Sequence, residues 1–537
     1  MHLDWNQRTK CFVLSVPRAG ADLQDLMNSH GLDFSLSASS AQTAVLFTRE
    51  LHAATAFAKY ATPAALAELQ PILANIQDSW SVDGPKIRCP ADRDLWPFQR
   101  ASVAYALARP NSLIGDQPGL GKTPAAICFC NEIRAQKVLV ICPASIRLQW
   151  ALRIREWTTM RWPYVVHPIL HGRHGVKPAA NWTIVSYDLA RTEAIGKALA
   201  KERWDVVVLD EAHYLKAVDS ERTRAVFGGG ANRLFEPLAR DCRILALTGT
   251  PLPNRPREAY TLARGMCFDS IDWMSEDRFK ERFNPSRRIE LGDGRFAVDE
   301  RSGRHAELQS RLRSYFMVRH LKRDVMPQLQ MPTYDLIHVE ENGAVRAALK
   351  AEKLLDIDPD QLEGCDAETL GHVAVVRRMM GLAIAPLAAE YIQMLLDGGE
   401  EKLTVFGWHI EVLDILEKKL GKYGLVRIDG RTSGGQKMRL IEQFVKDRRI
   451  QIALGNLQSM GVGTDGLQHV SSHGLIVEPS WVHGDNEQAF DRLDRGGQRN
   501  AVQGDIFVAP GSFAEKVLAG ALRKGQTTHK ALDRRIA

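Results

Sequence analysis

Several features that would place a chain in a special class are scarce or missing from these 537 residues. The eight cysteines are scattered, and the one close pair, Cys128 and Cys130, has C-x-C spacing rather than the C-x-x-C of zinc and redox sites. The first ten residues lack the apolar core of a signal peptide, and no apolar run approaches the roughly 20 residues that cross a bilayer. We therefore expect idle thiols and a soluble cytoplasmic protein without membrane contact, associated with the nucleoid if its source is bacterial or viral.

What is present is the composition of an ordinary globular protein. Hydrophobic residues make up 45% of the chain and charged residues 25%, so a large core can form. The length predicts roughly three or four domains. A formal net charge of +6 permits an anionic partner such as nucleic acid.

Short apolar runs alternate with helical patterns in two blocks, from about residue 95 and again from about residue 402. Near-continuous runs such as "KVLVICP" and "WDVVVLDE" are typical of strands buried on both faces of a parallel sheet. The fold class is therefore α/β, and a small α+β module precedes it. The predicted domains are an N-terminal accessory module (1–82), a first lobe (83–255), helical insertions and a linker without strong strand signals (256–400), a second lobe (401–515) and a basic C-terminal tail (516–537).

The stretch "IGDQPGLGKTPAA", residues 114–126, resembles a phosphate-binding loop but departs from G-x-x-x-x-G-K-[ST]. Asp116 stands where that pattern has its first glycine, and Pro124 follows the loop threonine. Pro124 is harmless there, because the first helical turn has no N–H partner to lose.

The remaining loop residues suit a nucleotide. Gly119 and Gly121 let backbone N–H groups approach phosphate. Lys122 supplies positive charge to the outer phosphates, and the Thr123 hydroxyl can ligate Mg²⁺. The helix that follows directs its N-terminal dipole at the anion.

A second element, "WDVVVLDEAHYLK", places two carboxylates just past a buried strand, where open α/β sheets bind ligands. Asp210 would hold Mg²⁺ directly or through water, and Glu211 would orient and activate the attacking water. His213 would relay between the nucleotide side and the nucleic-acid side.

Together, "DQPGLGKT", "DEAH" and "LTGTP" resemble the first lobe of superfamily-two helicase-type motors. More closely, the chain resembles the Swi/Snf-type double-stranded DNA translocases, in particular the short annealing-helicase-like branch. Other stretches that resemble this family are "LWPFQRASVAYAL", "VLVICPASIRLQW", "LTGTPLPN" ending at Asn254, "MVRHLKRDVMPQL", "IDGRTSGGQKMRLIEQF" and "EQAFDRLDRGGQ". The resemblance implies two tandem RecA-like lobes with a P-loop and a DEAH box, ATP and Mg²⁺ as ligands, Asp116 as an expected loop residue, and Gln99 as the adenine contact.

The resemblance also implies a catalytic contribution from the second lobe. Arg492 and Arg495 are three residues apart, so on a helix they would share a face. We assign Arg495 as the arginine finger, Arg492 as its partner, and Gln498 as the end of the motif. A solvated basic helix is the alternative.

Four basic residues between the lobes, Arg313, Arg319, Lys322 and Arg323, either brace the lobes or touch DNA, or they form a solvated linker helix. Several positions depart from the family pattern. They are Pro124 for an aliphatic residue, Asp494 for a common histidine, Gly496 for a common isoleucine, and Asp465 where asparagine is frequent.

Motif positions also imply nucleic-acid contacts, which would be independent of base sequence and sensitive to salt. The candidates are Ser145, Arg147, Ser186 and Tyr187 in the first lobe, with Arg431 and Ser459 in the second. Trp150 and Trp157, seven residues apart, are interpreted as core packing of one helix.

The leading hypothesis is an ATP-driven motor on double-stranded or branched DNA that remodels or reanneals it, acting as a monomer. The N-terminal module would target forks or a protein partner, or simply cap the fold. Two alternatives remain: a strand-separating helicase on RNA or DNA, and a catalytically silent nucleic-acid-binding scaffold.

Overall fold

The computed structural model describes residues 1–17, 33–34, 43–215, 217–229, 235–249, 251, 256–292, 295–300, 304–327, 332–355, 367–461, 465–480, 483–516 and 518. The stretch "ADLQDLMNSHG", residues 21–31, has a pattern that predicts a helix closed by a glycine, and it lies outside these ranges. The predicted motif residue Asn254 and nearly all of the C-terminal tail also lie outside them.

The described strands follow the predicted alternation closely in both blocks. They are β1 (His2–Asn6), β2 (Cys11–Pro17), β3 (Asp33–Phe34), β4 (Thr43–Thr48), β5 (Asn111–Ile114), β6 (Val138–Cys142), β7 (Val166–Pro168), β8 (Trp182–Ser186), β9 (Val206–Asp210), β10 (Arg243–Leu247), β11 (Ser286–Gly292), β12 (Arg295–Glu300), β13 (Met317–Val318), β14 (Thr333–His338), β15 (Leu403–Gly407), β16 (Leu425–Ile428), β17 (Ile452–Asn456), β18 (His473–Ile476) and β19 (Gln503–Val508).

Helices connect these strands and cover the two large sheets. The described α-helices are Leu51–Ala54, Pro63–Asp78, Pro97–Leu107, Lys122–Glu132, Arg147–Trp157, Tyr187–Ala190, Glu193–Ala200, Glu221–Phe227, Ala259–Met266, Glu276–Phe283, His305–Tyr315, Lys322–Val325, Gly343–Leu355, Ala367–Asp397, Ile410–Leu420, Gly434–Lys446, Leu457–Gly461 and His483–Phe490. Short 3-10 helices span Thr55–Tyr60, Ala144–Ile146, Gly172–His174, Ala212–Leu215, Pro256–Glu258, Phe268–Ile271, Gly421–Tyr423 and Leu467–His469.

The first lobe is built on a parallel sheet with the strand order β13-β5-β10-β9-β6-β8-β7. Every residue of β6, β8 and β9 is buried, as their continuous Val, Ile and Leu runs predict for strands covered on both faces. The carboxyl ends of β5 and β9 lie at the same edge of the sheet, so the phosphate loop and the DEAH segment meet there.

The second lobe is a separate parallel sheet with the order β14-β19-β18-β15-β17-β16. Helices Ala367–Asp397 and Ile410–Leu420 share one apolar core with its strands. Helix Gly434–Lys446 contributes to a second core. The predicted α/β class with two tandem lobes is confirmed.

A small antiparallel sheet, with the order β1-β2-β4-β3, forms the N-terminal module together with helix Pro63–Asp78. The module packs on helix His305–Tyr315 of the first lobe. His52 Nδ1 lies 2.8 Å from Ser310 Oγ, and Arg311 donates to Glu50 across 3.0 Å. The module is therefore attached through buried polar contacts.

Residues 256–400, predicted as helical insertions and a linker without strong strand signals, also contribute strands. Strand β13 is an edge of the first sheet, β14 is an edge of the second, and β11 pairs with β12 as an antiparallel hairpin. Strand β13 has only two residues, which are too few to show a periodic pattern in the sequence. Strand β14 is a solvent-facing edge strand and lacks an apolar run. The first sheet therefore takes a strand from well beyond residue 255, and the predicted domain boundaries stay predictions.

One described helix segment, Gly371–Asp397, is long and apolar enough by composition to cross a membrane, with a mean hydropathy of 1.5. Half of it is buried inside the second lobe, where Ala385, Ala388 and Ile392 are fully enclosed. Packing against the sheet accounts for this apolar composition.

Candidate active site

The phosphate loop joins β5 to helix Lys122–Glu132. Gly119 and Gly121 have φ angles of 85° and 72°, in the left-handed region that favours glycine. A Cβ added to Gly121 would lie 2.3 Å from Gln99 Nε2, so this position also lacks space for a side chain. Pro124 lies in the first turn of the helix, where its missing N–H removes no intrahelical bond.

Lys122 lies at the mouth of this loop. Its ammonium donates to the carbonyls of Asp116 and Gln117, at 2.7 and 3.3 Å. Burial lowers the pKa of Lys122, while the negative charges of Glu211, Asp116 and Asp210 oppose that shift. The lysine is therefore held among the carboxylates that flank the loop.

The Asp116 side chain faces the protein interior. Its carboxylate accepts from Ser102 Oγ at 2.9 Å and from the backbone N–H of His320 at 2.8 Å, and it lies 2.9 Å from His320 Nδ1. Burial alone would raise the pKa of Asp116, but His320 and Lys122 outweigh it and lower the pKa. The hydrogen bonds of Asp116 therefore fix the loop to the segment that follows β13. This structural role differs from direct contact with a nucleotide.

Gln99 also holds the loop. Its amide nitrogen donates to the carbonyl of Leu120 at 2.9 Å, and its amide oxygen accepts from Trp96 N at 2.9 Å. Contact of Gln99 with adenine stays a prediction.

Asp210 and Glu211 lie at the end of β9, as their position in the sequence predicts. The indole Nε1 of Trp150 donates to Asp210 Oδ2 at 2.7 Å, and Glu211 N donates to Asp210 Oδ1 at 3.0 Å. Burial and the neighbouring Glu211 charge raise the pKa of Asp210. The sequence-based interpretation of Trp150 as core packing missed this hydrogen bond.

Glu211 has a φ of 51°, an uncommon backbone conformation for a residue with a side chain. Burial opposes its ionisation, but His213, Lys122 and Arg492 outweigh that effect and lower its pKa. His213 Nδ1 lies 3.3 Å from Glu211 Oε2 and 3.0 Å from Thr248 Oγ1. The histidine thus connects the DEAH segment to the "LTGTP" segment, consistent with its predicted relay position.

Thr123 and Asp210 offer the oxygen ligands that Mg²⁺ prefers. Each Asp210 oxygen accepts one hydrogen bond within the protein, and a carboxylate oxygen can accept a further interaction. The described part of the chain has no group of three or more metal-ligating side chains. This donor set fits an ion shared between one or two protein oxygens and substrate phosphates.

The prediction that Arg492 and Arg495 share a helical face was wrong, because the helix ends at Phe490 and both arginines lie in the turn after it. That turn nevertheless lies against the first lobe. A Cβ added to Gly119 of the phosphate loop would lie 2.7 Å from the Cβ of Arg495. Burial and the charge of Arg495 lower the pKa of Arg492 to about 10, against the opposing effect of Glu211. The structure therefore brings Lys122, Glu211 and both arginines together.

Asp465 joins the two lobes beside this turn. It accepts from Arg495 Nη1 at 3.2 Å and from Gln468 Nε2 at 2.9 Å, and it also pairs with Arg153 of the first lobe. The charges of Arg495 and Arg153 and the Gln468 hydrogen bond overcome the effect of burial and lower the pKa of Asp465. Asparagine at this position would offer no negative charge to either arginine.

The four basic residues that were predicted to brace the lobes make different contacts. Lys322 reaches from the first lobe to Asp491 at 2.5 Å and to Asp494 Oδ2 at 2.6 Å in the second. Asp494, a departure from the family pattern, thus has a cationic partner. Arg319 instead stays within the first lobe, where it donates to the carbonyls of Gly115 and Gly249 at 2.6 and 2.9 Å.

Arg313 is buried under the N-terminal module, 3.4 Å from the centre of the Trp80 ring, and donates to Ser79 O at 3.2 Å. Arg323 is largely exposed. Lys322 is therefore the member of this set whose ion pairs connect the two lobes.

Gln498 lies after the turn that holds Arg492 and Arg495, and its side-chain amide is hydrogen-bonded to backbone groups. It donates to Ser471 O and Leu493 O at 3.0 and 3.2 Å, and it accepts from Arg499 N and Asn500 N. These contacts favour a structural role, and its catalytic role stays a prediction.

Three predicted nucleic-acid residues, Arg147, Tyr187 and Ser459, line one cleft of about 730 Å³ between the lobes. Arg431 lies between two residues of the cleft wall, Gly430 and Thr432, and pairs with Asp429 at 2.6 Å.

The other two predicted contacts differ. Ser186 is buried and caps a short helix by accepting from Leu189 N at 3.3 Å, so its hydroxyl is committed to the fold. Ser145 belongs to the 3-10 helix Ala144–Ile146, and its side chain lies outside the described part of the structure.

Lys437 lines the same cleft and was missed from the sequence. Its ammonium donates to Ser459 O at 2.6 Å, and burial lowers its pKa to about 7. A lysine in a basic amphipathic helix carries no sequence signal that separates it from a solvated one.

Residues 42–372, well over half of the chain, match the sequence model of the SNF2-related domain. The DNA annealing helicase and endonuclease ZRANB3 of Bos taurus is 26% identical over 453 residues, which cover 82% of this chain and 41% of the relative. The SWI/SNF-related matrix-associated actin-dependent regulator of chromatin subfamily A-like protein 1 of Xenopus tropicalis is 30% identical over 440 residues, covering 80% and 44%.

The chain therefore spans less than half the length of these relatives. Among solved structures, the Sulfolobus solfataricus SWI2/SNF2 ATPase core in complex with dsDNA is 16% identical, covers 85% of this chain and 99% of that chain, and has a TM-score of 0.37. With its two parallel-sheet lobes and the match over residues 42–372, the chain belongs to the SNF2-related domain family.

Proposed function

We propose that this protein is an ATP-driven motor that translocates along double-stranded DNA and remodels or reanneals it. One observation carries the proposal: the phosphate loop of the first lobe packs at Gly119 against Arg495 of the second. A triphosphate on that loop would therefore have Lys122 on one side and Arg495 on the other.

The residues around the loop suit phosphoryl transfer to water. Lys122 and the loop N–H groups bind the phosphates, and the buried, ionised Glu211 orients the attacking water. Arg495, with Arg492 beside it, stabilises the charge that develops in the transition state. Mg²⁺ held by Thr123 and Asp210 would neutralise charge on the phosphate oxygens.

A direct hydrogen bond connects the ATP site to the DNA cleft. Tyr187 lines the cleft, and its hydroxyl donates to the backbone carbonyl of Asp210 at 2.9 Å. A small change at the end of β9 would therefore reach the cleft wall. Closure of the lobes around ATP then shifts the grip on the nucleic acid, and product release reverses it. The relatives' name, DNA annealing helicase, favours reannealing as the outcome.

The test is ATP turnover at one fixed salt concentration with blunt duplex, forked DNA, single-stranded DNA and RNA. We expect strong stimulation by duplex or forked DNA, since the cleft would grip paired phosphates. Stimulation by RNA alone would overturn the translocase and favour the strand-separating helicase.

The same assay separates an enzyme from a silent scaffold. Lys122→Ala should abolish turnover, whereas Lys86→Ala, which changes an exposed lysine of the same lobe, should not. Turnover that survives Lys122→Ala would mean that the loop is not the ATP site.

A further inference from the structure

One segment of the first lobe is free of acidic residues from Trp157 to Tyr187. It comprises the loop before β7, β7 itself and the loop leading to β8. Strand β7 is the edge of the seven-stranded sheet, so this segment lies along one side of the lobe. We call its residues Arg161, Trp162, Tyr164, Arg173 and Lys177 the aromatic–basic strip.

The positive charges of the strip are exposed, and no described carboxylate compensates them. Arg161, Arg173 and Lys177 are all exposed, and none has an ion pair with a carboxylate of the described ranges. Nearby arginines are different, since Arg191 and Arg222 both pair with Asp188, at 3.4 and 2.9 Å. The strip therefore attracts anions, because no carboxylate in the described part of the chain pairs with its cations.

The strip also carries an exposed tryptophan. Trp162 is 82% exposed, and its ring lies edge-on to Tyr164 with the ring centres 6.0 Å apart. A side chain of this size gains much by covering its apolar faces, so a partner with a flat apolar surface suits it.

The strip is continuous with the cleft between the lobes. Leu170 and His171, just after β7, are part of the cleft wall. The chain then folds back along β7, because His167 Nε2 lies 3.1 Å from Gly175 O and Asn181 N donates to Val165 O at 2.9 Å. Arg173 and Lys177 thus lie on the path from the cleft to Trp162.

A single nucleic-acid strand matches both properties of the strip. Its phosphates complement the three cations, and its unpaired bases offer faces on which an aromatic ring stacks. Bases within a duplex are already stacked on each other, so they would leave Trp162 exposed. We propose that the aromatic–basic strip binds the single-stranded arm of a branched DNA whose duplex lies in the cleft. This deepens the proposed function and rests on it for the placement of the duplex.

The experiment compares three labelled DNAs of equal duplex length: a blunt duplex, a duplex with a single-stranded tail, and a duplex whose tail is abasic. Tails are placed on either strand in separate samples, at fixed salt. Wild-type protein should bind the tailed duplex more tightly than the blunt one. Trp162→Ala should lose about fivefold or more on the tail that carries bases, the value of at least one stacked base.

Matched variants isolate stacking from other effects. Trp162→Ala should not change binding to the abasic tail or the blunt duplex, because neither offers a base to stack. Trp162→Phe keeps a ring and should retain most of the gain. Trp273→Ala, which removes another tryptophan that is 68% exposed, should bind all three DNAs as the wild type does. Thermal unfolding midpoints check that each variant is folded.

The cations are tested by salt dependence. In the double variant Arg173→Ala, Lys177→Ala, the slope of log affinity against log salt should fall by about 0.7 for each phosphate of the single strand that the variant no longer neutralises. That fall should occur with the tailed DNA and not with the blunt duplex.

Two results would contradict the proposed binding of a single strand by the strip. Equal losses on blunt and tailed DNA would make it a duplex contact, and no loss with any DNA would leave it as a surface for another class of partner. Failure of the proposed function gives a different result, since ATP turnover of the wild type would then be stimulated by RNA alone or by no nucleic acid, whatever DNA the Trp162→Ala variant binds.

Discussion

At the residue scale, Trp150 serves both packing and chemistry. Its ring is buried in the core of the first lobe, while its indole N–H donates to Asp210 at 2.7 Å. Such a donor fixes the orientation of a carboxylate that would ligate Mg²⁺. Trp150 is therefore a positioning residue for Asp210.

Trp150→Phe keeps an aromatic ring in the core but removes the donor. We expect ATP turnover to fall by about tenfold or more, as is typical when an outer partner of a ligand is lost, and the Mg²⁺ concentration for half-maximal turnover to rise. Titration of turnover with Mg²⁺ measures both effects. Trp157→Phe, in the same helix and against Arg93, is the control. An unchanged Mg²⁺ requirement would show that the hydrogen bond has no such role.

Lys437 gives a prediction on pH. Burial lowers its pKa to about 7, from an ordinary lysine value of roughly 10.4. Below pH 7 the side chain is charged and attracts phosphate, and above pH 7 it becomes neutral, so DNA affinity should fall as the pH rises from 6 to 8. The Lys437→Arg side chain stays charged over this range. The DNA affinity of that variant should therefore lack the part of the decline that deprotonation of Lys437 causes. Parallel pH profiles for Lys437→Arg and the wild type would contradict the assignment.

Residues with a fixed spacing could be predicted from the sequence, and residues defined by distant neighbours could not. Gly119, Gly121 and Lys122 follow from the geometry that a phosphate loop requires. Trp150 acquires its role from a residue 60 positions away, and Lys437 from one 22 positions away. Neither relationship leaves a local pattern.

At the element scale, helix Arg147–Trp157 contacts three parts of the site. Arg147, Trp150 and Arg153 are spaced by three, so they share a face of the helix. Arg147 lines the cleft between the lobes, Trp150 donates to Asp210, and Arg153 pairs with Asp465 beside the turn that holds Arg492 and Arg495. We infer that this helix transmits changes between the nucleotide and the DNA.

Long buried elements could be predicted well, and short or terminal ones could not. The apolar runs "KVLVICP" and "WDVVVLDE" predicted β6 and β9 to within two residues at each end. Strand β13 has only two residues, and its place in the first sheet depends on pairing with β5. The helix ends before Arg492 and Arg495, because their spacing is compatible with a helix without requiring one.

The short helix Lys322–Val325 gives a prediction on lobe closure. Lys322→Ala would leave Asp491 and Asp494 close together without their cation, and breaking a buried ion pair costs about 3–5 kcal/mol. We expect the closed arrangement to be less populated, with lower turnover and a larger radius of gyration by X-ray scattering.

Arg323→Ala is the control for that variant, since it changes the next residue, whose side chain is 62% exposed. Equal scattering and equal turnover for Lys322→Ala and the wild type would show that this ion pair does not hold the lobes.

At the scale of the whole molecule, the two sheets are similar in kind but contribute different chemistry. The first lobe provides the phosphate loop and both carboxylates, and the second provides the arginines. Under the proposed function, neither lobe alone would supply both the phosphate-binding lysine and the arginine finger, so hydrolysis would require that they meet. This dependence is what would couple ATP turnover to movement on DNA.

The central claim is that a triphosphate is held between Lys122 of one lobe and Arg495 of the other. The most direct test is Arg495→Ala, with ATP turnover and ATP affinity measured side by side and Arg499→Ala, an exposed neighbour, as control. Because the finger acts mainly in the transition state, turnover should fall by about a thousandfold while affinity changes little. Turnover like that of the wild type, or a loss confined to affinity, would contradict the account.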